Sequence, residues 1–231
     1  MKLFIDSADP AEIRQAMSLG AAEGVTTNPT LILKTGVKDL DARIREIAGI
    51  VSGPVNAEVT STTVEGIVEE GRRFAALGKN VHVKIPLNHE GLAACHALSK
   101  QGIPCTMTLV FSTGQAILAA AAGAAWICPF VGRLDDVSFD GTSLLRAIAA
   151  IYEADPDCRT RILAASVRTP VHVMEAALAG AHAATLPMSV VKQMMQHPLT
   201  DRGIAQFLED AARLKDDAAR LKDDAARTRA R

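Results

Sequence analysis

The stretch VHVKIPLNHEGLAACHALSKQGIPCTMTLV, residues 81–110, decides how this chain is read. Residues 81–86 and 105–110 are short β-type runs. Between them, HEGLAACHALSKQG has helical patterning and closes on glycine, which ends helices because it tolerates the left-handed region. The segment is therefore strand, helix, strand. One residue is out of place in it. Lys84 stands inside the first strand, where Val, Ile or Leu is usual, and an ammonium buried without a partner is costly.

Working outward, the same alternation covers most of the chain. Strands are predicted at 2–6 (KLFID), 24–28 (GVTTN), 55–60 (VNAEVT), 81–86, 105–110, 124–131 (AAWICPFV), 161–166 (RILAAS) and 183–187 (AATLP). Amphipathic helices separate them. In DPAEIRQAMSLG, Asp9 is placed as N-cap, Pro10 as the first helical residue, Glu12 at capping-box spacing and Gly20 as terminator. TVEGIVEEGRRFAALG ends in the same way. Repeated strand–helix units predict a parallel sheet, and eight of them predict a closed (β/α)8 TIM barrel. No GxGxxG or GxxxxGK[ST] supports a nucleotide-binding open sheet. The barrel domain is assigned to residues 1–209. Residues 210–231 form a C-terminal helical extension in which DAARLKD repeats, with Leu214 and Leu221 as its only large apolar residues. One Leu per heptad is a thin stripe, read as a solvated helix or as the prolongation of a helix docked on a neighbouring subunit.

Composition narrows the function classes. A net charge of −1 and 3% aromatic residues provide neither a basic field nor stacking platforms for nucleic acid. The cysteines at 95, 105, 128 and 158 show no CxxC spacing, and the six histidines show no ligand spacing, so no metal is expected. No apolar run is long enough to span a membrane, and MKLFIDSADP does not continue as a signal peptide, so a cytoplasmic protein is expected.

Polar residues cluster at the predicted C-terminal strand ends, where barrel enzymes place their sites. They are Asp6, Thr26, Asn28, Glu58, Thr60, Lys84, Thr106, Thr108, Cys128 and Ser166, with Arg133 and Arg168 just beyond strands 6 and 7. A barrel filled only for stability would carry branched aliphatics at the inward positions. A lysine in a confined, weakly solvated site is expected to have a lowered pKa and a nucleophilic amine able to form a Schiff base. Asp6 and Glu58 would move protons, and Arg133, Arg168 and Ser166 would hold an anion such as a sugar phosphate. Each residue also has a structural reading. Lys84 and Glu58 could be a buried ion pair, Asp6 a helix cap, Asn28 a turn residue before Pro29, the arginines surface ion pairs and Cys128 a small hydrophobe.

The segments LFIDSAD, GVTTNPTL, NAEVTST, VHVKIPLNHEGL, GIPCTMTLVFSTGQA, CPFVGRLDD, ILAASVRTP and ATLPMSV resemble, in order, those of the small transaldolase family, which includes fructose-6-phosphate aldolases. The resemblance runs from residue 3 to about residue 190. It implies Lys84 as the Schiff-base lysine, Asp6 as the proton-handling aspartate and Glu58 as the glutamate that works through a catalytic water. It also implies Asn28 and Thr108 as holders of the dihydroxyacetone unit and the water, and Arg133, Ser166 and Arg168 as the phosphate site. Glu58 and Phe130 resemble transaldolases; the aldolase branch has Gln and Tyr there. Thr106 and Cys128 depart from the usual Asn and Ser. The implied reaction is sedoheptulose 7-phosphate plus glyceraldehyde 3-phosphate giving erythrose 4-phosphate plus fructose 6-phosphate, in the pentose phosphate pathway. No cofactor is implied, and the assembly is a homo-oligomer, pentamer or decamer. The alternatives are an aldolase releasing free dihydroxyacetone and a non-catalytic phosphosugar-binding barrel.

Overall fold

The computed structural model describes residues 1–229. Its strands are β1 (Lys2–Asp6), β2 (Gly24–Thr26), β3 (Val55–Glu58), β4 (Val81–Pro86), β5 (Cys105–Val110), β6 (Trp126–Pro129), β7 (Arg161–Ala164) and β8 (Ala183–Leu186). Each pairs in parallel with its sequence neighbours, and β1 pairs with β8, closing the barrel. The helices are α1 (Pro10–Ser18), α2 (Pro29–Lys34), α3 (Leu40–Ile50), α4 (Val64–Ala75), α5 (His89–Ser99), α6 (Thr113–Ala121), α7 (Val131–Asp135), α8 (Gly141–Glu153), α9 (Pro170–Leu178), α10 (Met188–Met195) and α11 (Pro198–Arg229).

Strand alternation sorts side chains onto two faces. The outer face carries Ile5, Val25, Val55, Val83, Ile85, Met107 and Ile127, all fully buried together with helix residues such as Ile13, Ile47, Phe74, Leu98 and Ile148. The lumen differs. Its apolar part is a small cluster of Phe4, Trp126, Cys128, Leu163, Ala165 and Ala183. Phe4 and Trp126 pack with their rings tilted by 59° and 5.6 Å between centroids, and the Arg161 guanidinium lies 5.5 Å from the Trp126 ring. This cluster floors the barrel and leaves the upper lumen to polar groups.

The predicted start of α1 needs one correction. Asp9 caps it, accepting from the Ala11 amide at 2.9 Å. Glu12 does not reach back to the Asp9 amide as a capping box would. It takes the Ser7 hydroxyl, and Ser7 Oγ accepts from the Asp9 N–H at 3.2 Å. Several strands are shorter than predicted, for local reasons. β2 stops at Thr26 because Asn28 turns outward to cap α2, accepting from Leu31 N at 2.9 Å. After β3, the amides of Thr60 and Ser61 donate to the buried Glu70 carboxylate at 2.9 and 3.0 Å. They are thereby pulled away from the sheet.

The chain divides into two units, Met1–Val191 and the part from Lys192 onward. The heptad segment expected from residue 210 is the distal part of α11, which already begins at Pro198. Leu214 and Leu221 are exposed on it, as are Leu199, Ile204, Phe207 and Leu208. Residues 230 and 231 of the predicted tail lie outside the described residues.

His82 sits two residues below Lys84 on the same strand face, and its Nδ1 is buried without a partner. Burial, and secondarily the Arg161 charge, push its pKa down to about 4 from 6.5. The native state therefore binds fewer protons than the unfolded chain between those values. This contribution to stability is full above pH 6.5 and is lost as pH falls towards 4. In urea unfolding, His82→Gln is expected to lose about 2–3 kcal/mol less than the wild type between about pH 7 and about pH 4.5.

Candidate active site

The polar upper lumen is built from alternate residues of neighbouring strands. On β4, Lys84 is 4% exposed. Its Nζ lies 3.0 Å from Glu58 Oε2 on β3 and donates to the Thr27 carbonyl at 3.0 Å. On β1, Asp6 Oδ1 accepts from the Thr26 hydroxyl of β2 at 2.6 Å. The register explains the neighbours: Asp6 is opposite Thr26, and Glu58 is opposite Lys84. Asp6 is therefore not the helix cap that its sequence context allowed, since Asp9 has that role. Cys128, on β6, is fully buried. Burial pushes its thiol up to about 12, so it stays neutral and behaves as a small hydrophobe.

The electrostatics correct one expectation. Burial by itself would lower the Lys84 pKa, as the strand context predicts. Burial is the largest single influence, but the Glu58 carboxylate, Cys128 and Asp6 together outweigh it, and the net shift is upward. Lys84 is thus held as an ammonium, paired with the carboxylates that line the same lumen. Asp6 moves the other way from an ordinary carboxylate: burial raises its pKa, against the lowering effects of Lys84 and Thr26. A carboxyl group with a raised pKa is a better proton acceptor than an ordinary carboxylate.

β5 contributes two threonines with different fates. Thr106 is fully buried and donates to Asn56 Oδ1 at 2.5 Å, while Asn56 Nδ2 donates to the Val25 carbonyl at 3.1 Å. Thr106 is therefore turned towards β3. The Thr108 hydroxyl is buried and has no partner. Immediately after it, Leu109 adopts φ of 59°, and the β5–β6 register shifts between Met107 and Val110. A non-glycine residue there costs about 1–3 kcal/mol. The strain sits at the rim of the polar lumen.

The remaining predicted residues ring the mouth. Asn28 spends its carboxamide oxygen on the cap of α2. Phe130 packs edge-on against Phe111 at 5.7 Å, and the Arg133 guanidinium lies 5.0 Å from the Phe130 ring. Arg168 is engaged differently. Both its terminal nitrogens bond the Asp136 carboxylate, at 2.5 and 2.7 Å, and hold that carboxyl below its ordinary value. Ser166 is in the left-handed region at φ 57°, and its carbonyl accepts from Gly132 N at 3.2 Å. A Cβ on Gly132 would meet that oxygen at 2.3 Å, so only glycine lets the two loops join. Thr60 is exposed beyond β3.

Two lumen residues escaped sequence reading. Thr185 on β8 bonds Thr26 hydroxyl to hydroxyl at 2.6 Å, and Asn56 receives Thr106. Period-2 alternation could have found both, since Thr185 shares a face with Ala183 and Asn56 with Glu58.

A cavity of about 240 Å³ opens beside Glu58 and Asn28, walled by Ile32, Leu40 and Ile44. A larger cleft, of about 710 Å³, lies at the opposite end of the strands, by Trp126, Arg161 and His82. It holds none of Asp6, Glu58 and Lys84, so chemistry rather than volume selects the site. Among the described residues, no group of three or more His, Cys, Asp or Glu side chains is placed to hold a metal ion. Among them, too, no helix is long and apolar enough to cross a membrane.

Known proteins resemble this chain at three levels: family profile, individual relatives and fold. Residues 3–229 match the profile of the family described as Transaldolase/Fructose-6-phosphate aldolase. The chain is 52% identical over 210 residues to a "Probable transaldolase" of Halalkalibacterium halodurans, covering 91% of this chain and 98% of that one. It is 52% identical over the same length to one of Symbiobacterium thermophilum, covering 91% and 96%. Among solved structures, a flavocytochrome b2 mutant matches with a TM-score of 0.54 at 15% identity. The match covers 80% of this chain and 56% of that chain, a likeness of fold alone. With its closed eight-stranded barrel and a profile match along nearly its whole length, the chain belongs to the transaldolase/fructose-6-phosphate aldolase family.

Proposed function

We propose that this protein is a transaldolase that moves a dihydroxyacetone unit between sugar phosphates through a Schiff base on Lys84. The observation that carries this reading is the Lys84–Glu58 pair at 3.0 Å, buried in a lumen that also holds Asp6. Glu58, in direct contact at 3.0 Å, takes a proton from the Lys84 ammonium as substrate enters and passes it on through a water. The free amine attacks the ketose carbonyl carbon, and loss of water leaves an iminium. Asp6 takes the proton of the C4 hydroxyl, and the C3–C4 electron pair flows into the iminium. An aldose phosphate leaves, and a three-carbon enamine stays on Lys84. It then adds to an acceptor aldehyde, which regains the proton from Asp6, and hydrolysis frees the amine. Thr108 holds the water and Asn28 the dihydroxyacetone hydroxyls. Thr26 steadies Asp6, while Thr106 and Cys128 close the lumen around the unit.

The substrates are sugar phosphates, with sedoheptulose 7-phosphate and fructose 6-phosphate as donors, in cytoplasmic pentose phosphate metabolism. Arg133 and Ser166 take the phosphate. Arg168 joins them by exchanging Asp136 for the substrate anion. Transfer is favoured over release because Glu58 is a carboxylate and Phe130 has no phenol that could supply another proton route. The exposed apolar side chains of α11, Phe207 and Leu208 among them, support a homo-oligomer in which α11 covers a second copy.

The test combines trapping with an acceptor assay. Borohydride reduction in the presence of fructose 6-phosphate is expected to leave a three-carbon adduct on Lys84, located by peptide mass spectrometry. Turnover is expected only when an acceptor aldose phosphate is added. Acceptor-independent release of dihydroxyacetone would make the protein an aldolase. Absence of any adduct would leave a phosphosugar-binding barrel.

A further inference from the structure

The Thr26 hydroxyl is 2.6 Å from Asp6 Oδ1 and 2.6 Å from the Thr185 hydroxyl. Thr26 is 1% and Thr185 3% exposed, so water does not compete for either. β2 and β8 flank β1 on opposite sides, so the two hydroxyls meet in the lumen in front of it. A hydroxyl has one proton to give. When Asp6 is ionised it only accepts, so Thr26 donates to it, and the Thr26 oxygen must then be the acceptor of the Thr185 proton. The chain runs in one direction, from Thr185 through Thr26 to Asp6, and each bond polarises the next. When Asp6 is protonated, that order is no longer imposed.

We propose that Thr185 is a positioning residue of this reaction, acting through Thr26 to hold and aim the Asp6 carboxylate in its ionised form. The proposal rests on the reading of Asp6 as the proton-transfer group. The charged and titratable groups that face Asp6 are Lys84 from β4, Cys128 from β6, Glu12 from α1 and Lys34 from α2. None of them bonds to Thr185, whose influence therefore passes through Thr26.

The experiment is a variant series read in two ways. The first readout is the Asp6 carboxyl titration, followed by carbon NMR of aspartate-labelled protein without substrate. Thr185→Val is expected to raise the Asp6 titration by about one pH unit, since a hydrogen bond to the charged form is weakened. Thr185→Ser is expected to restore it. The second readout is kcat against pH. In Thr185→Val the limb governed by Asp6 moves by the same amount, kcat on the acid side of that limb falls about tenfold, and KM is unchanged. In a Thr26→Val background, Thr185→Val adds nothing to either readout. Superimposable titrations of wild type and Thr185→Val, failure of Ser to restore, or additive effects with Thr26→Val would overturn the proposal. Asp6→Asn separates it from the underlying reading. If Asp6→Asn turns over normally while the titration still shifts, the hydroxyl chain stands and the role of Asp6 in the chemistry falls.

Discussion

Replacement of Lys84 by methionine is expected to lower kcat/KM by at least about four orders of magnitude, because it removes the amine that forms the covalent intermediate. The same substitution has a second signature that separates mechanism from damage. Methionine is close to lysine in shape but removes the one cation that Asp6 and Glu58 share. Breaking a buried pair by deleting one partner costs about 3–5 kcal/mol. The sign with pH follows from Asp6. Its pKa is already raised by burial, and Lys84 is the largest influence lowering it. Without Lys84 it rises further, so the native state holds its proton to higher pH than the unfolded chain does. Stability of Lys84→Met is then closest to wild type below the ordinary aspartate value of 3.8 and falls behind as pH rises through the shifted native value. Denaturant unfolding at acid and alkaline pH measures this directly. A pH-independent loss would mean that the ammonium and carboxylates do not form one electrostatic unit.

Glu58→Gln is expected to have the next largest effect. Glutamine preserves the shape but cannot take a proton, so transfer should fall by about 10²–10³-fold. It also removes the largest influence that raises the Lys84 pKa, leaving burial to lower it. The amine is then free at lower pH, and Schiff-base formation, followed by trapping, should begin at a lower pH than in the wild type. Faster trapping together with slower transfer is a combination that simple misfolding cannot produce. If both fall in parallel, accepting the Lys84 proton is the part of the Glu58 role that limits the reaction.

Much of the fold was legible because parallel barrel strands are buried on both faces and read as short apolar runs between helices. β1, β4 and β5 have the predicted bounds, β2 and β3 end early where a cap and the Glu70 carboxylate divert the backbone, and β6, β7 and β8 are shorter than predicted. The upper-lumen residues were legible for the opposite reason: Asp6, Glu58 and Lys84 are charges where aliphatics belong. What could not be read were relations between strands. The upward shift of Lys84 depends on a carboxylate 3.0 Å away on the neighbouring strand, which no local pattern records. Thr185 looked ordinary because threonine is common in strands, and its meaning comes only from Thr26. The Arg168–Asp136 pair joins residues far apart in sequence, and nothing in either segment announces it.

The barrel floor has a practical use. Trp126 is the only tryptophan in the sequence. It is 3% exposed, it leans on Phe4, and it lies on the same strand face as Cys128 one step below the upper lumen. The molecule thus carries a single-site optical gauge. Emission from one indole, unmixed with any other, reports the opening of the barrel's base.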